Sequence, residues 1–240
     1  MENVLVFETP EALATGVARN LLRIIRQTVC TNGRCTIALT GGRTPIAINK
    51  EMIRLAKRIP VDWSQVYFFW GDERCVPPDH EDSNYKMNYD TLLVHLPVAD
   101  ANIHRFHGED TPAEAARAYE ETLVRIFDLK PGQLPEFDII LLGMGADGHT
   151  ASLFPQTSAL TENEKLAVEN EVPQLGTYRL TLTYPVINNA RHVIFLISGH
   201  AKRDMLRTIW HGPWDRFRYP AQAVAPQGQL IWWVDQTAMG

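Results

Sequence analysis

An imidazole beside a carboxylate on a tight turn can move protons, and this chain carries one at Asp147-Gly148-His149. Histidine exchanges protons near neutral pH. A neighbouring carboxylate fixes its tautomer and favours its charged form. The turn follows directly on the apolar run that ends at Leu142, which puts His149 at the mouth of a buried strand. An Asp-Gly-His triplet can also be no more than a capped turn. Gly143, Gly145 and Gly148 further match G-x-G-x-x-G, the spacing of a dinucleotide-binding turn. Three features count against that reading. An Asp and a His share the turn, Pro155 cuts short any helix that would receive a pyrophosphate, and no strand ends in an acidic residue at the right distance.

A second segment, Thr40-Gly41-Gly42-Arg43-Thr44-Pro45, reads as a strand-to-helix turn with room for an anion. Two glycines let backbone approach a ligand closely. The following helix aims free N–H groups and its positive dipole end back at the loop. Thr44 could cap that helix or donate its hydroxyl to a phosphate. The Gly-Lys-Ser/Thr ending of a Walker loop is absent, and a turn without a ligand remains an alternative. In Gly71-Asp72-Glu73-Arg74, Arg74 can take a carboxylate or phosphate bidentately. Asp72 could be a base or hold Arg74, and Glu73 reads as solvated. Arg179 enters one strand and Lys202 follows another, so the two cations could meet at one anion or be separate surface charges. His104 and His107 lack the Cys or carboxylate partners of a metal site. His95 and His192 read as surface partners.

These segments need strands behind them. Val4–Phe7, Cys35–Leu39, Val66–Trp70, Phe137–Leu142, Tyr178–Thr183, His192–Ile197 and Leu230–Val234 read as strands. Helices are expected from Pro10, from about Pro45, over Ala113–Phe127 and over Lys202–Trp210. Continuous apolar runs alternating with helices predict an α/β fold: a mostly parallel central sheet, Rossmann-like, covered by helices on both faces. Ligands of such sheets sit at the carboxyl ends of strands. That is where Thr40–Pro45, Gly71–Val76, Gly143–Pro155 and Ser198–Lys202 fall. Trp232 and Trp233 must face opposite sides of the last strand, so at least one covers the core.

The chain has 240 residues, 23 Lys plus Arg against 28 Asp plus Glu, and a formal net charge of −5. That balance argues against nucleic acid as a partner. Hydrophobic residues make up 45%, too many for disorder. Nothing marks a linker or a repeat, so one α/β domain over residues 1–240 is expected. The first residues lack the basic start and apolar run of a signal peptide. No stretch is apolar for the ~18 residues of a membrane span. Three cysteines, Cys30, Cys35 and Cys75, fit reduced thiols, though Cys30 and Cys35 are close enough in sequence to pair. A cytoplasmic protein, monomer or small homo-oligomer, is expected.

The order of these motifs resembles the 6-phosphogluconolactonases of the glucosamine-6-phosphate isomerase/6-phosphogluconolactonase superfamily. The resemblance rests on Thr40–Pro45, Gly71–Arg74, Asp82-Ser83-Asn84-Tyr85, Gly143–Pro155, Arg179-Leu180-Thr181 and Gly199–Lys202, and it runs from about residue 5 to 235. It implies hydrolysis of 6-phosphogluconolactone, the second step of the oxidative pentose phosphate pathway, with neither metal nor organic cofactor. The phosphate is then expected on Gly41, Gly42, Arg43, Thr44, Arg179 and Lys202. His149 becomes the base on water, oriented by Asp147, with Arg74 facing the developing oxyanion and Asp72 positioning Arg74. Thr40 stands where Ser is commoner in that family, and Arg43 where a small residue is usual. The related deaminases typically continue Ile-Ala-Phe-Asn-Glu after the histidine. Here Thr150-Ala151-Ser152-Leu153-Phe154 lacks that acidic residue, which favours the lactonase over a deaminase. A sugar-phosphate sensor without turnover is the non-enzymatic alternative.

Overall fold

Six strands run parallel in one sheet: β1 (Val4–Phe7), β2 (Cys35–Leu39), β3 (Val66–Trp70), β5 (Ile139–Leu142), β8 (His192–Ile197) and β9 (Gln229–Asp235). Their spatial order is β1-β9-β8-β5-β2-β3. Three more form an antiparallel sheet in the order β4-β7-β6: β4 (Asp72–Arg74), β6 (Ala167–Val172) and β7 (Thr177–Leu182). The helices are α1 (Pro10–Asn32), α2 (Arg43–Ala56), α3 (Asn84–Thr91), α4 (Pro112–Phe127), α5 (Tyr184–Asn188), α6 (Arg203–His211) and α7 (Gln236–Met239). This computed structural model describes residues 3–240. None of its helices is long and apolar enough to cross a membrane.

The parallel sheet forms where the apolar runs predict it. All residues of β2 and β5 are buried, as strands covered on both faces must be. α1 starts at the Thr9 cap, whose side chain accepts from Ala12 N at 3.1 Å, with Pro10 in its first turn. Its Leu13, Val17, Leu21 and Leu22 are fully buried. β5 begins two residues later than the apolar run suggests. Asp138 uses its side chain instead: Oδ2 accepts from Thr36 N (2.9 Å) and Thr36 Oγ1 (3.0 Å), while Asp138 N donates back to Thr36 Oγ1 (3.0 Å). Both Trp232 and Trp233 are buried, Trp232 stacked on Phe195 with centroids 4.0 Å apart. Cys30, Cys35 and Cys75 are free thiols.

The second sheet corrects the expectation for Tyr178–Thr183, which lies outside the parallel sheet. Its partner β6 carries Glu169, Asn170 and Glu171, a polar run that hides a strand from hydrophobic pattern alone. Asn170 is nevertheless fully buried, donating to Ser152 O (2.9 Å) and Thr157 Oγ1 (3.0 Å). α3 was likewise hidden, because its sequence is almost wholly polar. The helix expected from Lys202 begins with a 3-10 turn at His200–Lys202 and becomes α-helical at Arg203.

His104 packs its ring against Phe69, with centroids 4.8 Å apart. Burial, and then the charge of Arg125, lower its pKa from 6.5 to about 4. Its Nε2 has no hydrogen-bond partner. Above pH 6.5 the ring is neutral in both folded and unfolded chains. Between 6.5 and about 4 the unfolded chain binds the proton more readily, so stability falls as pH falls. His104→Phe should therefore lose less stability than the parent between pH 7 and 4.5 in urea unfolding. Parallel pH profiles for the two proteins would contradict this assignment.

Candidate active site

The strand order sets the site. β8, β5, β2 and β3 are consecutive neighbours, so the loops leaving their carboxyl ends stand side by side: Ser198–Lys202, Gly143–His149, Thr40–Gly42 and Gly71–Arg74. A cavity of about 230 Å³ there is lined by Gly41, Asp72, Arg74, Asn84, His149 and Lys202 among others. An adjoining hollow of about 220 Å³ is walled by Gly42, Arg43, Thr44, Ser198 and Lys202. A third, about 380 Å³, holds Asp147, His149, Arg74 and Arg179. A larger hollow of about 560 Å³ lies at the opposite, amino ends of the strands, between Arg34, Phe127 and Arg191. Neither Asp147 nor His149 lines it.

The Asp147–His149 couple is tightly built. His149 Nδ1 lies 2.6 Å from Asp147 Oδ1, and the same oxygen accepts from His149 N at 3.2 Å. This leaves Nε2 as the ring nitrogen not engaged by Asp147. The ring stacks on Phe154 with centroids 4.1 Å apart and planes 28° from parallel. Gly145 makes room for the couple: a Cβ there would stand 2.2 Å from His149 Nδ1 and 2.3 Å from Asp147 Oδ1. Burial works to raise the Asp147 carboxyl. The hydrogen bond and charge of His149 more than offset it, so the group stays below its ordinary range and ionised.

The glycine loop has the geometry of an anion cradle. Gly42 caps α2, and among the described residues no side-chain cap bonds the helix's first N–H groups. Thr44 is therefore not the cap; it sits inside the first turn. Lys202 lines the same hollows. Burial and nearby Arg43 lower its ammonium pKa, while Asp147 works the other way. Arg179 falls elsewhere. It is paired in register with Arg74 across β4 and β7, and burial together with Arg74 lowers its guanidinium. The structure thus groups Lys202 with the loop and Arg179 with Arg74, rather than the two cations around one hollow.

Strand β4 corrects two expectations. Asp72 makes no ion pair with Arg74. Its Oδ2 accepts from Ser152 Oγ at 2.8 Å and its Oδ1 from Asn84 Nδ2 at 3.4 Å. Arg74 is held instead by the carbonyl of Asp82, 2.5 Å from Nη1, and its Nε has no partner. Glu73 is no solvated residue but 2% exposed. Its carboxylate accepts from the backbone of Arg74 (2.8 Å), Asn84 (2.7 Å) and Tyr85 (2.7 Å), and from Ser83 Oγ (3.1 Å). It thereby caps α3, a suitable place for an anion. Burial nonetheless raises its pKa, against the pull of those N–H groups. Asn84 and Ser152 were visible only as members of the motifs Asp82–Tyr85 and Gly143–Pro155. Nothing in their types announced that both would hold Asp72.

Fold and cleft together define the class: an α/β enzyme whose candidate site lies at the carboxyl ends of a parallel sheet. The family profile described as glucosamine-6-phosphate isomerases/6-phosphogluconolactonase matches residues 8–233, and the chain belongs to that family. It is 42% identical over 215 residues to a 6-phosphogluconolactonase of Synechocystis, covering 89% of this chain and 87% of that protein. It is 40% identical over 226 residues to one of Nostoc, covering 92% of each. The solved 6-phosphogluconolactonase of Trypanosoma brucei superposes with a TM-score of 0.84 at 28% identity, covering 99% of this chain and 97% of that one.

Replacing Glu73 by Gln keeps its size but sets an N–H2 group against backbone donors. Glu73→Gln should cost about 1–3 kcal/mol of stability, read by urea unfolding. Unchanged stability would mean that β4 and α3 are joined by something other than this carboxylate.

Proposed function

We propose that this enzyme hydrolyses 6-phospho-D-glucono-1,5-lactone to 6-phospho-D-gluconate, with His149 as general base on water. The observation that carries the reading is the Asp147–His149 couple: Asp147 engages Nδ1, and His149 lines the same cleft as the glycine loop and Lys202. The names of the relatives supply the substrate.

A substrate carrying a phosphate at one end and a lactone carbonyl at the other fits a cleft with cations at both ends. The phosphate would lie on Gly41, Gly42 and Thr44, with Lys202 and Arg43 beside it. The lactone would then reach His149, where Arg74 and Arg179 add positive charge. His149 takes a proton from water through Nε2 as the oxygen attacks C1. Asp147 holds the ring's tautomer and favours the imidazolium that forms. Arg74 stabilises the carbonyl oxygen as it becomes an oxyanion. When the C1–O5 bond breaks, the imidazolium returns its proton to the departing ring oxygen. The product is a carboxylic acid, which ionises by releasing the water's second proton to solvent, and no covalent intermediate is needed. Asp72 touches the cleft but is bound to Ser152 and Asn84, so its part is to fix the loops around His149 relative to β4. This chemistry draws only on groups of the chain, and we infer that the enzyme works without a metal in the cytoplasm.

A deaminase reading is less well supported. Ser152 occupies the segment after the histidine, and its hydroxyl is committed to Asp72.

The test follows acid release from freshly made 6-phosphogluconolactone, corrected for spontaneous hydrolysis, with EDTA present. Acceleration is expected, and His149→Ala should lower kcat by about 10²–10⁴-fold with little change in KM. Near-normal turnover in a folded His149→Ala protein removes the base from its role. Absence of acceleration, with ammonia released from glucosamine-6-phosphate, would replace the lactonase by the deaminase.

Lys202→Ala should act differently, raising KM for the phosphorylated lactone and leaving KM for unphosphorylated glucono-1,5-lactone unchanged. An unaltered KM with the phosphorylated lactone would take the phosphate away from Lys202.

A further inference from the structure

Lys202 sits on a short loop after β8, and the polypeptide around it is held from outside the cleft. Asp235, the last residue of β9, is fully buried. Its carboxylate accepts the hydroxyl of Ser198, and Gly199 N donates to both of its oxygens, at 3.3 and 3.2 Å. On its other side the same group accepts from Thr237 Oγ1 (2.6 Å) and Ala238 N (2.9 Å), capping α7. Gly199 takes φ +95° and ψ 148°, backbone that side chains rarely adopt. Its carbonyl accepts from Lys202 N at 3.0 Å. A chain of hydrogen bonds therefore runs from a buried carboxylate, through an unusual glycine, to the backbone of the cation that lines both hollows beside the glycine loop.

We infer that Asp235 is a positioning residue for phosphate recognition: it fixes the Ser198–Lys202 turn so that Lys202 is set against the glycine loop. The inference rests on the reading of Lys202 as a phosphate ligand. Asp235 itself touches no part of the cleft, so it acts through Lys202 alone. Two neighbouring facts support the assignment. The parallel register of β8 with β9 sets Ile197 opposite Val234, which brings Ser198 level with Asp235. A charged acceptor is also suited to this point, because four donors converge on one side chain and a neutral amide cannot accept all of them.

The inference separates binding from chemistry. Asp235→Asn keeps the size of the side chain but leaves a single acceptor oxygen. With 6-phosphogluconolactone, KM should rise about tenfold and kcat stay within about twofold. KM for unphosphorylated glucono-1,5-lactone should not move. Thr237→Ala removes a bond to the same carboxylate on the α7 side and should leave both KM values unchanged. Should Asp235→Asn not fold, Gly199→Ala serves. A Cβ there meets nothing within 4 Å, so it disturbs the turn through φ alone, and the same split is expected. An unchanged KM in folded protein, or equal changes with both lactones, overturns the inference. Lys202→Ala distinguishes the two failures. If it separates the lactones and Asp235→Asn does not, only the role of Asp235 is lost. If it fails to separate them, the phosphate reading fails as well.

Discussion

The site depends on three charged residues in a row. β4 is only Asp72-Glu73-Arg74, yet it joins the two sheets at the carboxyl ends of the parallel strands. Gly71 N bonds back to Leu39 O in the large sheet, and Gly71 O accepts from Leu182 N in the small one, both at 2.9 Å. Beyond this hinge the side chains alternate, as a strand requires. Asp72 and Arg74 line the cleft, while Glu73 turns away beneath α3. Charged residues tolerate this position because each finds donors or acceptors. Asp72 has Ser152 and Asn84, Glu73 has the amino end of α3, and Arg74 has the Asp82 carbonyl. Losing the partners of Asp72 or Glu73 would leave a buried carboxylate unmatched, which costs more than the bond contributes.

The same device recurs around the sheet. Asp138 holds Thr36 at the amino end of β2, and Asp235 holds Ser198 and Gly199 at the carboxyl end of β9. Each is a buried carboxylate: Asp138 ties the segment entering β5 to strand β2, and Asp235 fixes the loop after β8. The consequence is functional. The general base and anion cradle proposed above must keep their separation to act on one molecule. The chain is acidic overall, with a net charge of −5. Its cleft nevertheless gathers Arg43, Arg74, Arg179 and Lys202, whereas the acidic groups near it are spoken for: Asp72 and Glu73 by donors, Asp147 by His149.

Much of this was legible in the sequence. The parallel strands and their helices follow from apolar runs, because strands buried on both faces cannot disguise themselves. His149 and the glycine loop were visible because they fall immediately after such runs. What escaped were the elements held by polar contacts. β6 and α3 are polar in composition and are stabilised by Asn170 and Glu73, whose partners sit on other segments that only the fold brings alongside. A carboxylate such as Glu73 looks identical on paper whether it meets water or four donors. The expected contact between Asp72 and Arg74 failed for a related reason. Residues two apart on a strand share a face, but Ser152 and Asn84 reach Asp72 from other segments, and Arg74 bonds the Asp82 carbonyl instead. Arg179 and Lys202 could be assigned to the cleft, yet their grouping needed the register of β4 with β7.

The central claim is an orientation: the phosphate lies on the glycine loop beside Lys202, and C1 lies at His149. A crystal structure of the enzyme with 6-phosphogluconate tests it directly. The account predicts phosphate oxygens on the backbone of Gly41 and Gly42 and on Lys202 Nζ. It also predicts the C1 carboxylate within hydrogen-bond reach of His149 Nε2 and Arg74. A phosphate seated instead between Arg74 and Arg179, with C1 directed away from His149, would contradict it.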